Sequence, residues 1–109
     1  MPNFETIPQK EILDFIKHFS SFGEQVVDCF SNGNCFWFAE ILRRRFPNSY
    51  IVYNSLENHF ACSIDCNIYD ITGVICHVYE NQSKWYPWRH YIKYDPTHAK
   101  RIQRDCIRF

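Results

Sequence analysis

Residues 35–46, CFWFAEILRRRF, constrain the fold more than any other segment, because they are periodic and residues that break helices flank them on both sides. Their apolar side chains recur at the three- and four-residue spacing of one helix face: Cys35, Phe38, Ala39, Leu42 and Phe46. A run of turn formers ending at Asn34 precedes the segment, and Pro47 follows it. The pattern predicts a helix over roughly 35–46, with Asn34 as its N-cap.

The second half of the chain changes from helical to extended patterning. Three segments are rich in Ile, Val, Tyr and Phe, as strands are: residues 49–54, 58–65 and 68–80. A short connection at 65–67 separates the last two, which predicts an antiparallel hairpin in which Ile64 opposes Ile68. Residues 85–94, WYPWRHYIKY, form a further candidate strand that Pro87 interrupts.

Two further helices are predicted toward the ends of the chain. Residues 8–19 place apolar side chains at helical spacing opposite charged ones, and a closing helix begins near residue 95. Residues 25–30 are compatible with either a strand or a loop. The order helix, helix, strands, helix predicts one domain over residues 1–109, of α+β class, with helices packed on one face of a small antiparallel sheet.

The composition argues against several classes of function. Hydrophobic residues make up 46% of the chain and aromatic residues 18%, which is enough for one dense core. Twelve basic residues balance twelve acidic ones, so no net charge favours nucleic acid or an anionic membrane. No apolar run approaches the roughly 20 residues of a membrane span, and no secretory signal pattern is present. We therefore expect a cytoplasmic protein with reduced cysteines and no cofactor.

Cys35 stands where the turn formers meet the first residue of the predicted helix. A nucleophilic thiol needs a lowered pKa, a base within reach and a group that orients the base. Backbone N–H groups at a helix start, together with the positive end of the helix dipole, stabilise a thiolate and can donate to an oxyanion. The position therefore suits a nucleophile.

His59 and Asp70 lie on the two strands of the predicted hairpin. The expected register puts His59 level with Thr72 or Gly73, so that Asp70 is its diagonal neighbour. This is close enough for a chain of contacts from Asp70 through His59 to Cys35. Each residue alone also has a structural explanation: a buried thiol, a core histidine and a turn-capping aspartate.

Two stretches resemble papain-like thiol enzymes. NGNCFWFAEIL, residues 32–42, resembles the nucleophile helix of CHAP-type amidases. NHFACSIDCNIYDITG, residues 58–73, resembles the His and Asp strands of transglutaminase-like and arylamine-acetyltransferase-like proteins. The chain order Cys, His, Asp agrees with that superfamily, and small bacterial and phage proteins look similar. The resemblance implies a papain-like fold with Cys35 as nucleophile, His59 as base and Asp70 as orienting group.

The same resemblance implies a thiol-dependent hydrolase or acyl transferase that acts on a peptide or protein amide. Papain-type enzymes carry a glutamine six residues before the cysteine, where this chain has Cys29, so Gln25 and Asn34 become the candidate oxyanion donors. The aromatic candidates for lining the substrate site are Trp37, Trp85 and Trp88. The alternative is a non-catalytic module on the same scaffold that binds a protein partner.

Two other functions compete with the thiol site. The cysteines and histidines offer zinc ligands, but Cys62-x-x-x-Cys66 followed by a Cys-His pair at 76–77 is a poor match to structural zinc spacing, so no metal is expected. The aromatic and basic residues at 85–93 could stack nucleobases. In the simpler explanation, Trp85 and Trp88 complete the core, and the solvent exposure of these tryptophans separates the two alternatives.

Overall fold

A computed structural model describes residues 7–31, 34–77 and 85–105 of the chain. Within these ranges there are five helices and five strands. In chain order they are α1 (Gln9–Ser20), α2 (Glu24–Ser31), α3 (Cys35–Arg45), β1 (Tyr50–Asn54), β2 (His59–Ile64), β3 (Asn67–Asp70), β4 (Gly73–His77), β5 (Trp85–Pro87), α4 (Trp88–Tyr94) and α5 (Pro96–Asp105). None of the helices in the described ranges is long and apolar enough to cross a membrane.

The strands form one sheet in the order β4-β3-β2-β1-β5, and neighbouring strands pair antiparallel throughout. β2 is the central strand, and its first residue, His59, pairs with Asn54 at the end of β1. Asn54 also pairs with Trp85 of β5, so three strands meet at this level. The predicted α+β class with an antiparallel sheet is confirmed.

The hairpin of β2 and β3 has a two-residue turn, Asp65-Cys66, rather than the predicted three-residue connection. Both turn residues have positive φ angles, 48° and 70°, as a type I′ turn requires. Asn67 therefore joins the ladder opposite Ile64, and Ile68 opposes Ser63 instead of Ile64. Continuing this register places Asp70 opposite Ala61, two residues from the level of His59 and on the same side of the sheet.

The segment at 25–30, for which the sequence allowed a strand or a loop, lies in the helix α2. Its apolar residues Val26, Val27 and Phe30 pack against the core shared by α1 and α3. The Phe30 ring lies 5.5 Å from the ring of Phe19 and 5.5 Å from that of Phe38. Two adjacent β-branched valines disfavour a helix locally, and this tertiary packing outweighs that preference.

The predicted N-cap residue of α3 occupies the N-cap position without capping through its side chain. Asn34 is 1% exposed and its side chain makes no capping hydrogen bond. Its backbone carbonyl accepts the N–H of Trp37 at 3.1 Å and that of Phe38 at 3.5 Å. Asn34 therefore lies at the predicted N-cap position, where its backbone carbonyl, rather than a capping side chain, bonds to the first turn of α3.

The helices pack on the sheet face to which Phe60, Cys62 and Ile64 of β2 contribute. Phe60 belongs to a cluster with Cys35, Phe36 and residues of α4 and α5, whereas Cys62 and Ile64 pack with α1 and α3. A third cluster contains strand residues of the opposite face: Val52, Ala61, Ile68 and Trp85. The start of α3 is thus pressed against the end of β2 that carries His59.

Candidate functional site

Cys35 is the first residue of α3, and its thiol, which is not part of a disulfide, is 4% exposed. The backbone N–H of Phe60, in the adjacent strand β2, donates to its sulfur at 3.4 Å. The helix start and this N–H both place positive partial charge around the sulfur. Both contacts stabilise negative charge on the sulfur, whereas its burial acts in the opposite direction.

His59 and Asp70 contact each other across the hairpin. Nε2 of His59 lies 2.9 Å from Oδ2 of Asp70, and the two side chains are 17% and 15% exposed. His59 begins β2 and Asp70 ends β3, so both belong to the rigid sheet. The diagonal placement leaves room for the imidazole to reach the carboxylate.

Thr72 fixes the orientation of the Asp70 carboxylate. Its backbone N–H donates to Oδ1 of Asp70 at 2.8 Å, and its hydroxyl donates to the same oxygen. Oδ2 is thereby left for His59. The chain turns sharply after Thr72 at Gly73, whose φ of +114° is a conformation that L side chains rarely adopt. Asp70 thus caps this turn and also contacts His59, which combines two roles that the sequence offered as alternatives.

The electrostatics of the three residues are coupled. Burial lowers the pKa of His59, but its hydrogen bonds to Asp70 and Cys35 outweigh that effect and raise the pKa from 6.5 to about 9. Burial raises the pKa of Asp70, and the hydrogen bonds from His59 and Thr72 more than offset it, so the net shift is downward. These shifts favour an imidazolium beside a carboxylate at neutral pH. Because Asp70 occupies Nε2, Nδ1 is the ring nitrogen left for Cys35.

The thiols of Cys62 and Cys66 have surroundings that differ from those of Cys35. Burial raises the pKa of Cys62 to about 12, so this thiol stays protonated. Cys66 is exposed in the hairpin turn, away from the buried Cys62, so the pair does not form one metal site. No cluster of three or more metal-ligating side chains occurs among the described residues. The side chains of Cys76 and His77 lie outside that description.

The three candidate tryptophans have different surroundings. Trp85 is 6% exposed and its ring lies 6.2 Å from that of His59 at an interplanar angle of 70°, so it packs beside the imidazole. Trp88 is 4% exposed and lies among Phe60 and Tyr91 in the core. Trp37 is 41% exposed on α3. Because Trp85 and Trp88 are buried, they do not form a surface on which nucleobases could stack.

The two candidate oxyanion donors are placed differently. Asn34 precedes Cys35 in the chain and is buried beside it. Gln25 is exposed on α2, and within the described residues its side chain makes no hydrogen bond to Cys35 or His59.

The sequence reasoning missed the Phe60 N–H and the orienting role of Thr72. The Asp-x-Thr spacing at 70–72, typical of a side-chain-capped turn, is the signal that could have revealed Thr72.

The fold and this site define an α+β protein in which a helix-terminal cysteine meets a His–Asp pair on the adjoining antiparallel strands. The chain belongs to the Phage YunG-like protein family, whose family model matches residues 12–101. No curated protein and no solved structure matches the chain significantly. The matched range includes Cys35, His59 and Asp70 together with the strands and helices that position them.

Proposed function

We propose that the protein performs thiol-dependent acyl chemistry on a peptide or protein amide, as a hydrolase or an acyl transferase on a papain-like scaffold. The observation that carries the proposal is the 2.9 Å contact of His59 with Asp70, next to Phe60, whose backbone N–H donates to the sulfur of Cys35 at the start of α3. The electrostatic coupling of His59 to Cys35, which raises the pKa of His59, also supports it. This arrangement supports the proposal because thiol catalysis needs a nucleophile, a base and an orienting group, the roles that we assign to Cys35, His59 and Asp70.

In the proposed reaction the Cys35 thiolate attacks the amide carbonyl carbon and forms a C–S bond. The C–N bond then breaks, and the His59 imidazolium gives its proton to the departing amine. In the second half, water or an amine attacks the thioester, its proton passes to His59, and the thiolate leaves. Water as the acceptor gives hydrolysis, and an amine gives acyl transfer.

The start of α3 supplies the candidate donors for the oxyanion. The Trp37 and Phe38 N–H groups bond to the Asn34 carbonyl, so the N–H groups of Cys35 and Phe36 are the better candidates. Asn34 remains the side-chain candidate because it is adjacent to the thiol. Trp85, beside His59, and exposed Trp37 are candidate walls of the substrate site.

A second candidate is a non-catalytic protein-binding module on the same scaffold. Such a module, encoded by a phage, would bind a protein factor of the host. The 4% exposure of Cys35 favours it, because a buried thiol meets a substrate only after a local movement. In both candidates the protein works in the cytoplasm, where thiols such as those of Cys35 and Cys62 stay reduced.

The test is acylation by the activated ester p-nitrophenyl acetate at neutral pH, followed by peptide mass mapping of all six cysteines. We expect acetylation at Cys35 that is lost in His59→Ala and retained in the matched control Cys66→Ala, which removes an exposed thiol. Acetylation that is confined to Cys66, or that is equal at Cys35 in the wild type and in His59→Ala, would contradict the enzyme proposal and favour the binding module.

A further inference from the structure

A cleft distinct from the Cys35 site lies between α3, β1, α4 and α5. Its volume is about 380 Å³, within the usual range of small-molecule sites. Phe36, Ile51 and Trp88 contribute apolar side chains to its lining, and none of Cys35, His59 and Asp70 lines it. The cleft therefore offers an apolar contact surface of its own.

The charged residues of the cleft leave it with one positive charge in excess. Its lining includes Glu40, Arg43 and Arg89. Glu40 accepts hydrogen bonds from Arg43 and, at 2.9 Å, from Arg44, so its negative charge is fully compensated. Within the described part of the chain, no carboxylate lies within ion-pair distance of Arg89. Arg89 thus differs from Arg43 and Arg44, which share the carboxylate of Glu40, because no described carboxylate pairs with it.

Arg89 is held in an orientation that suits an anion. Its guanidinium carbon lies 5.2 Å from the centroid of the Tyr50 ring, which also lines the cleft. A guanidinium over an aromatic face keeps its N–H edges available, and those edges match the two oxygens of a carboxylate. Charge complementarity therefore selects an anion as the occupant.

Trp88 provides a second and independent observation. Its indole N–H is buried and has no hydrogen-bond partner among the described residues. Buried donors are nearly always paired, so an unpaired donor in the lining of a cleft points to an acceptor that the chain itself does not supply. Because Trp88 is a lining residue of the cleft, an oxygen acceptor of a ligand is the partner that we assign to this donor.

We propose that this cleft binds a small monoanion, a carboxylate attached to an apolar or aromatic group, with Arg89 as the partner of the carboxylate. The apolar group lies against Phe36, Ile51 and Trp88. The site is independent of thiol chemistry, so it remains testable whether or not Cys35 is a nucleophile.

The experiment compares N-acetyl-L-phenylalanine with its neutral amide by isothermal titration calorimetry and by the indole N–H signals in NMR spectra. We expect the acid to bind at least roughly tenfold more tightly than the amide, because hydrogen bonds to charged groups are worth that much. We also expect the Trp88 indole signal to move while that of Trp37, which does not line the cleft, stays in place.

Arg89→Gln should reduce the affinity for the acid to that for the amide. Arg101→Gln is the matched control, because it removes an exposed arginine of α5 that does not line the cleft, and it should leave both affinities unchanged. Thermal unfolding checks that both variants fold. Equal binding of acid and amide, no binding of either, or the same loss in Arg101→Gln would overturn the proposal.

Discussion

Asp70→Asn is the substitution that tests the electrostatics of the site most sharply. Asparagine keeps the shape of the side chain and removes the negative charge, and its single amide oxygen can accept from Thr72 or from His59 but not from both. Of the interactions that raise the pKa of His59, the hydrogen bond to Asp70 is the largest, whereas burial acts in the opposite direction. We therefore expect the pKa of His59 to fall by roughly 1–3 units in Asp70→Asn.

The raised pKa of His59 also determines how much unfolding free energy Asp70→Asn loses and how that loss depends on pH. The rise from 6.5 to about 9 corresponds to about 3 kcal/mol in favour of the imidazolium. Because the folded-state pKa of His59 is the higher one, this stabilisation is fully present below pH 6.5 and is lost as the pH rises through about 9. Assigning most of it to Asp70, we expect the variant to lose about 2 kcal/mol near pH 6 and much less above pH 9.

The assay is urea unfolding of the wild type and Asp70→Asn near pH 6 and near pH 10, with an NMR titration of the His59 ring. The matched control is Asp14→Asn, which removes an exposed carboxylate 3.6 Å from Lys10 and should leave the His59 titration unchanged. An equal loss of stability at both pH values, or a His59 pKa that is the same in both proteins, would refute the reasoning.

Three further predictions concern the surroundings of the site. Thr72→Val should lose about 1 kcal/mol in urea unfolding, because it removes the hydroxyl that donates to Asp70, whereas Thr72→Ser should retain it; equal losses would contradict the contact. Cys62, whose pKa burial raises to about 12, should resist iodoacetamide at neutral pH until the protein unfolds, while exposed Cys66 reacts at once, as mass mapping can show. Leu42→Ala, at a position that is 0% exposed, should cost about 2–5 kcal/mol in the same unfolding assay. Leu56→Ala, at 77% exposure, should stay within about 0.5 kcal/mol, and similar values for the two leucines would contradict the assigned core.

Elements with strong local signals were predictable from the sequence. The helix predicted at 35–46 appears as Cys35–Arg45, because its apolar stripe and its boundaries agree. The helix predicted at 8–19 appears as Gln9–Ser20 for the same reason. Pro87 interrupts the predicted segment 85–94, but the chain continues beyond it as the helix Trp88–Tyr94, since the Trp88 and Tyr91 rings find a place in the core.

Features that depend on tertiary contacts were not predictable in detail. The register of β2 and β3 differs by one residue from the predicted register, because Asp65 and Cys66 adopt positive φ and close the turn in two residues. The placement of His59 near Asp70 was expected as a diagonal contact, but the role of Thr72 depends on the bend before Gly73. Asn34 likewise lies at the predicted N-cap position, but its side chain is buried and makes no capping hydrogen bond, which local preference does not predict.

The pH dependence of Cys35 alkylation by iodoacetamide measures whether Cys35 and His59 form the proposed thiolate–imidazolium pair. Peptide mass mapping separates Cys35 from the other cysteines. The readout is the pH midpoint of the Cys35 alkylation rate, because burial of the thiol affects the absolute rate. We predict a midpoint well below the value of about 8.5 for a free thiol, and an upward shift toward that value in His59→Ala. A midpoint at or above about 8.5 in both proteins would show that Cys35 and His59 do not form this pair.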